Sequence, residues 1–167
     1  MNFYVAVPTL LTATVLQIVV APRITILQAK PDLVLVVVVA WAVVSGAEGG
    51  MAWGVIGGLL LDFLGGAPLG TNVISLALVA FLVAQAHLGV VETNLLLALG
   101  AMLAGSIIHD LTFLLVLQLS GSSVPWVTDF VRVVLPSAAL NALIMPLVYW
   151  LFVWLHRRSE PVEGLHW

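Results

Sequence analysis

Long stretches without a charged side chain constrain this chain more than any other feature of its sequence. Only five Lys or Arg and eight Asp or Glu occur in 167 residues, and 62% of the residues are hydrophobic. Soluble domains carry roughly 25% charged residues, against 8% here. Several uncharged stretches reach the roughly 20 residues that a helix needs to cross a bilayer core. Because an isolated strand cannot satisfy its backbone hydrogen bonds in lipid, these segments are predicted to be helices.

The pattern predicts an all-α fold, a polytopic transmembrane helix bundle of six spans that forms a single integral membrane domain over residues 1–167. Turns rich in glycine and proline separate the apolar segments. The predicted spans are 3–21, 33–44, 51–64, 71–87, 94–119 and 133–155. The second covers only roughly 18 Å of a core of ~30 Å, so it should extend at both ends. A five-span alternative would merge the second and third spans, but the Gly46–Gly50 turn argues against it.

The first span is predicted to be a retained helix and not a cleaved signal peptide. No Lys or Arg precedes its apolar stretch, and Ala21 is followed by Pro22, which makes a poor cleavage site. The chain has no cysteine, which excludes disulfides, thiolate metal sites and thiol catalysis. No Lys or Arg occurs between Lys30 and Arg132, so this interval offers no basic patch to bind nucleic acid.

Charge alone does not determine the orientation in the membrane. Six spans place both termini on one side, and Arg157 with Arg158 favour the cytoplasm for that side. The same choice places Arg23, Lys30 and Arg132 outside, which is contrary to the positive-inside rule. The oligomeric state is equally open, and a homo-oligomer is compatible with the sequence.

An aspartate lies inside a glycine-rich apolar run that extends from Gly54 to Gly70. Gly54, Gly58 and Asp62 recur every four residues and therefore share one helix face. Small residues at this spacing let a second helix approach closely in a membrane. An ionisable residue at membrane depth is a candidate functional site. Asp62 has two interpretations: it caps the turn that follows it, or its charge binds a partner or a solute.

The two interpretations of Asp62 predict different outcomes for one substitution. Asn caps a helix about as well as Asp, so a capping role predicts that Asp62→Asn retains most function, whereas a charge-dependent role predicts that it fails. No Lys or Arg occurs between residues 31 and 131 to neutralise Asp62 or Asp110. Each carboxylate must therefore be hydrogen-bonded, water-lined, protonated or paired with a cation from elsewhere in the chain or from another protein.

No catalytic site, cofactor site or metal site is predicted. The titratable candidates are Asp62, His87, Glu92, His109, Asp110 and Glu48. His109 and Asp110 are neighbours, so on a helix they point about 100° apart and are not expected to face one pocket squarely. His109 is predicted to be a buried hydrogen-bonding side chain, and His87 an interfacial one. Asp62 with Asp110 is similar to the pair of intramembrane aspartyl proteases, but the flanking sequences of those enzymes are missing.

Four sequence elements occur in a characteristic order along the chain. They are Pro31-Asp32-Leu33, the glycine run that ends in Leu61-Asp62, the block Gly66-x-Pro68-Leu69-Gly70, and Asp110 in the fifth predicted span. With the length and six-span layout of the whole chain, this order resembles MreD, the bacterial rod shape-determining membrane protein family. The chain departs from the family in one respect, because basic residues do not precede its first span.

The resemblance implies a non-enzymatic scaffold of the cell-elongation (peptidoglycan synthesis) machinery in the bacterial cytoplasmic (inner) membrane, with both termini in the cytoplasm. It implies that a small-residue face binds the membrane helix of MreC. MreB and an elongation glycosyltransferase with its transpeptidase would be indirect partners, and no cofactor is implied. It also implies a fold similar to the substrate-binding subunits of energy-coupling-factor transporters. The candidate structural and interaction residues are Gly54, Gly58, Asp62, Gly66, Pro68, Gly70 and Asp110.

The alternative function is a solute-binding membrane subunit of a transporter for small, vitamin-like molecules. Asp62 and Asp110 would then line a pocket, and short helices interrupted by Gly or Pro are typical of such pockets. The predicted spans offer few other polar side chains for a water-soluble ligand, mainly Gln17, Asn72, Gln85, Gln118 and Asn141. Genes for MreB-like and MreC-like proteins beside the gene for this chain would favour the scaffold.

Overall fold

The structure is a computed structural model that describes residues 3–23, 29–45, 47–86 and 95–159. Every regular element in these ranges is helical, which confirms the all-α prediction. The helices are α1 (Phe3–Val19), α2 (Leu33–Ser45), α3 (Ala47–Gly65), α4 (Thr71–Ala86), α5 (Leu95–Leu119), α6 (Trp126–Asp129) and α7 (Leu135–Ser159). A 3₁₀ turn over Ala21–Arg23 follows α1, and a π-helical turn over Phe130–Val134 joins α6 to α7.

Three helical segments are long and apolar enough to cross a membrane, which agrees with the prediction of a helical membrane protein. These segments are Ala6–Arg23, Leu95–Leu119 and Trp126–Trp154. The remaining apolar helices are shorter and cover Leu33–Ser45, Gly49–Gly65 and Thr71–Gln85. Because a bilayer core needs roughly 20 helical residues, the shorter helices do not establish crossings by their length. The count of six crossings therefore stays a prediction.

The short helix α2 is the centre of the bundle. It packs against α1, α3, α4, α5 and α7, and the run from Val34 to Ala40 is buried without interruption. A helix that is apolar on all sides is typical of such a position. Valine intrinsically favours strands, so packing on every side overrides the local preference. With 13 residues, α2 is only about 20 Å long, and the N–H group of Val34 in its first turn donates to Gln17 of α1.

The turn between α2 and α3 is shorter than the sequence predicts. The predicted turn extends to residue 50, whereas α3 already begins at Ala47; residue 46 lies outside the described residues. Gly50 belongs to α3, and a Cβ atom placed on it would lie 2.6 Å from the Cβ of Ala42 in α2. The missing side chain lets α3 fold back directly on α2. This glycine therefore serves close helix packing, which the sequence alone does not distinguish from a turn.

The last helical region begins earlier than predicted. The predicted span starts at residue 133, whereas helical backbone runs from Trp126 through the π-helical turn into α7. The Trp126 indole N–H donates to Gln118 Oε1 at 2.6 Å, which ties the start of α6 to the end of α5. Pro136, which lacks an N–H group, is the second residue of α7. Arg132 lies in that turn and is exposed.

Helices α3 and α4 pack closely through the glycines of α3. A Cβ on Gly54 would lie 2.8 Å from the carbonyl oxygen of Leu76, and one on Gly58 would overlap with the backbone of Val73. Either side chain would hold the two helices apart. In this structure α4 thus occupies the face that was predicted to receive the helix of a partner. A partner helix needs another surface.

Candidate functional site

The Asp62 carboxylate caps the N-terminus of α4. It is buried and accepts hydrogen bonds from the N–H groups of Gly70 (2.8 Å), Asn72 (2.9 Å) and Val73 (3.3 Å) and from the Asn72 side-chain amide (2.9 Å). The first N–H groups of a helix have no partner within it, and the helix dipole favours negative charge there. No Lys or Arg pairs with Asp62 in the described part of the chain. The N–H groups at the start of α4 stabilise the carboxylate of Asp62 as a cationic side chain otherwise would.

The backbone between α3 and α4 presents these donors to Asp62. Gly66 and Gly70 have φ angles of 77° and 95°, which other residues rarely adopt. Pro68 accepts two hydrogen bonds at its carbonyl oxygen, from the Thr71 hydroxyl at 2.8 Å and from the Thr71 N–H at 3.1 Å. The motif residues that surround Asp62 in sequence therefore form one rigid turn with it.

Large apolar side chains are exposed within this turn and at the end of α3 before it. Phe63 is 72% exposed, Leu64 50% and Leu69 74%. The preceding hydrogen bonds fix the backbone that carries Leu69, and α3 fixes the other two. The turn thus presents an apolar surface whose arrangement is determined by the fold.

A second polar cluster surrounds the start of α2. Asp32 Oδ1 accepts a hydrogen bond from the Leu35 N–H at 2.9 Å, and Gln17 Oε1 accepts one from the Val34 N–H at 2.8 Å. The Asp32 N–H donates to Asn141 Oδ1 in α7 at 2.8 Å. Asp32 is therefore the N-cap of α2, and side chains from α1 and α7 complete the cap.

Asn141 connects this cluster to α5. Its side-chain amide donates to Ser106 Oγ at 2.7 Å and lies 3.5 Å from Ser137 Oγ. Ser106 precedes His109 by three residues, and Ser137 precedes Asn141 by four, so the members of each pair share one helix face. Sequence reasoning did not bring these residues together. The available signal was this spacing of polar side chains within two otherwise apolar helices.

His109 and Asp110 complete the cluster. His109 is buried, and its Nδ1 lies 3.0 Å from Asp110 Oδ1 and 3.8 Å from Asp32 Oδ2. The shorter contact is a hydrogen bond when Nδ1 carries the proton. The prediction of a buried, hydrogen-bonding His109 is confirmed. The expectation that His109 and Asp110 do not face one pocket is wrong, because both line the same cavity and the carboxylate reaches back to the imidazole.

A cavity of about 610 Å³ lies between the two polar groups of residues. This volume is within the range of small-molecule sites. The polar part of its lining consists of Gln17, Lys30, Asp32, Asn72, His109, Asp110 and Ser137. The apolar walls include Ile18, Leu61, Phe113, Leu114, Val133 and Val134. Asp110 and Asp32 both lie against His109 and line the cavity, whereas Asp62 does not line it, so the two candidate aspartates belong to different clusters.

Two carboxylates, one lysine and one histidine line the cavity. Within the described residues, the ion-pair contacts of Asp32 and Asp110 are to His109. The buried atoms His109 Nε2 and Asp110 Oδ2 have no hydrogen-bond partner there. No three His, Asp or Glu side chains among the described residues are arranged to hold a metal ion.

Three titratable candidates cannot be placed in either cluster. His87 and Glu92 lie outside the described residues, as does the side chain of Glu48. The glycines at 54 and 58 serve the α3–α4 contact, and those at 66 and 70 serve the turn.

The long apolar helices are those of a helical membrane protein. The family model described as rod shape-determining protein MreD matches residues 1–158. The chain therefore belongs to the MreD family, a membrane-associated, structural family with a role in rod shape determination, as its motifs predict. Comparisons with curated proteins and with solved structures found no match. The predicted likeness to transporter subunits stays a prediction.

Replacing Asp62 should destabilise the protein even when the substitute is Asn. Each carboxylate oxygen accepts two hydrogen bonds, whereas Asn has one acceptor oxygen and would turn its NH₂ group toward two donors. The expectation from the sequence that Asn retains most function is revised accordingly. Asp62→Asn and Asp62→Ala should each lower the free energy of unfolding by about 1–3 kcal/mol, measured by thermal unfolding in detergent.

The matched control for these variants is Asp129→Asn. Asp129 lies in α6 and belongs to neither polar cluster, so its replacement should leave the unfolding midpoint close to that of the unmodified protein. An unchanged midpoint for Asp62→Asn would contradict the hydrogen-bonding role.

Proposed function

We propose that this protein is a non-enzymatic scaffold of the bacterial cell-elongation machinery and that it binds MreC. The match of residues 1–158 to the MreD family carries the proposal. The role of Asp62 supports it, because this carboxylate holds the start of α4 and does not line the cavity. MreB and the elongation glycosyltransferase with its transpeptidase are then indirect partners.

The turn between α3 and α4 is our proposed contact for the membrane helix of MreC. The exposed side chains of Phe63, Leu64 and Leu69 support this choice, together with the hydrogen bonds that hold the turn. A surface whose arrangement is already fixed loses little conformational freedom on binding. The glycine face of α3 is less suitable, because α4 already packs on it.

The proposed location is the bacterial cytoplasmic membrane, with six crossings by one domain and both termini in the cytoplasm. Six successive helical regions support this arrangement: α1 to α5 and the α6–α7 region. The α3–α4 turn, the start of α2 and the end of α5 then lie on the outer side. MreC would be contacted there, at the end of the bundle away from the cytoplasm.

The cavity favours a second candidate, a solute-binding membrane subunit. Its volume of about 610 Å³ would suit a vitamin-like molecule. The hydrophobic walls formed by Phe113, Leu114 and Val134 fit a water-soluble ligand less well. Genes beside the gene for this chain discriminate between the two functions: MreB-like and MreC-like neighbours favour the scaffold, and the energising subunits of a transporter favour the alternative.

The orientation is tested with a single introduced cysteine, because the chain has none of its own. In Ser159→Cys the thiol should react with a membrane-impermeant maleimide only after the cells are opened. The reason is that an even number of crossings returns the chain to the side of its N-terminus. Reaction in intact cells would contradict the cytoplasmic C-terminus.

The contact with MreC is tested by Leu69→Ser. This variant should lower the amount of co-purified MreC about tenfold, which corresponds to ~1.4 kcal/mol of binding free energy, and should give rounded cells in a deletion background. Leu119→Ser is the matched control, since Leu119 is 79% exposed at the end of α5. Equal amounts of MreC with both variants would contradict this contact surface, provided that both proteins accumulate in the membrane.

A further inference from the structure

An apolar groove of about 430 Å³ runs along α2 between α1 and α7. Pro8, Thr12 and Leu16 form its α1 side, and Val148 lies on its α7 side. At 1.5 Å per helical residue, the stretch of α1 from Leu16 to Pro8 is about 12 Å long. The groove is therefore elongated along the bundle and is almost wholly hydrocarbon in its lining.

The groove adjoins the polar cavity. Leu16 lines the groove and its neighbour Gln17 lines the cavity; in the same way Leu33 lines the groove and Asp32 the cavity. The linings of the two spaces thus come within one residue of each other on α1 and again at the start of α2. A molecule that filled both would need a polar head and an apolar tail.

The chemistry of the cavity indicates which head group fits. Asp32 and Asp110 are hydrogen-bond acceptors when ionised, and among the described residues their ion-pair contacts are to His109. His109 is 3% exposed and lines the cavity, and its Nε2 has no hydrogen-bond partner in the described part of the protein. Asp110 Oδ2 is also unpartnered. A cationic donor would satisfy these carboxylates, and Lys30 in the same lining would suit an anionic group beside it.

We propose that the cavity and the groove together bind a lipid whose head group carries a primary ammonium, a lipid of the phosphatidylethanolamine type. The ammonium donates to the carboxylates of Asp32 and Asp110, and the phosphate faces Lys30. One acyl chain lies in the groove beside Thr12. Binding of this lipid is independent of the proposed contact with MreC, which uses a different surface.

The proposal distinguishes between head groups. A quaternary ammonium has the same charge but no N–H donor, so a choline head group leaves the carboxylates without hydrogen bonds. A glycerol head group has no positive charge. Free ethanolamine has the right cation but no chain for the groove, so it gains nothing from the apolar contact.

The experiment measures binding to the purified full chain in detergent by native mass spectrometry. The probes are dihexanoyl phosphatidylethanolamine, the matched phosphatidylcholine and phosphatidylglycerol, and ethanolamine alone. The ethanolamine lipid should bind at least about tenfold more tightly than each of the other three, which corresponds to ~1.4 kcal/mol. Equal binding of the three lipids would overturn the proposal. Ethanolamine binding as tightly as its lipid would overturn the lipid assignment.

Two variants locate the site, and each has a matched control. Asp110→Asn should weaken binding of the ethanolamine lipid about tenfold, whereas Asp129→Asn in α6 should not. Thr12→Trp should fill the groove and weaken binding, whereas Val15→Trp should not, because Val15 is on α1 at 49% exposure but does not line the groove. If Asp110→Asn fails to fold, the comparison of Thr12→Trp with Val15→Trp and the comparison of the four probes still test the proposal.

Two outcomes of this experiment count against the site. Unchanged lipid binding by Thr12→Trp shows that the groove does not hold the chain and overturns the proposal. Absence of binding by the ethanolamine lipid overturns the proposal as well, and loss of MreC co-purification by Asp110→Asn would then assign the cavity to a cationic segment of a protein partner.

Discussion

The N–H groups at the buried starts of α2 and α4 need partners that lipid cannot provide, and the rest of the structure depends on meeting this need. An unsatisfied backbone group costs several kcal/mol in the hydrocarbon region. Asp32 and Gln17 provide acceptors for α2, and Asp62 provides them for α4. The dipoles of α2 and α4 also stabilise the negative charge of these carboxylates. Two of the chain's eight acidic residues, Asp32 and Asp62, therefore serve the backbone hydrogen bonding of its short helices.

The short length of α2 also explains how the fold forms the cavity. Because α2 is only 13 residues long and is surrounded by longer helices, its first turn lies inside the bundle and forms part of the cavity lining at Asp32. The first turn of α4 contributes Asn72 to the same space. The two proposals use different surfaces at one end of the bundle. The apolar side chains at the α3–α4 turn are proposed to bind a protein partner, and the polar cavity with its adjoining groove is proposed to bind a lipid with an ammonium head group.

The sequence predicts those helix ends and motif positions that depend on local composition. It placed the start of α4 at residue 71 and the end of α5 at residue 119, as observed, and it placed Asp62 beside the turn that it holds; the predicted bounds at 87 and 94 lie outside the described residues. It did not find the contact between Asn141 and Ser106. In a bundle whose helices are apolar on nearly all faces, periodicity does not reveal how each helix is rotated about its axis. That rotation follows from packing between distant segments, as in the fit of Gly50 against Ala42.

Amide hydrogen exchange in the first turn of α4 tests most directly whether carboxylates serve as caps in this protein. In the unmodified protein the N–H groups of Gly70, Asn72 and Val73 should exchange slowly, since each donates to Asp62. In Asp62→Ala they should exchange much faster, while α6, which has no side-chain cap, should be unchanged. Equal exchange at residues 70–73 in both proteins would contradict the account.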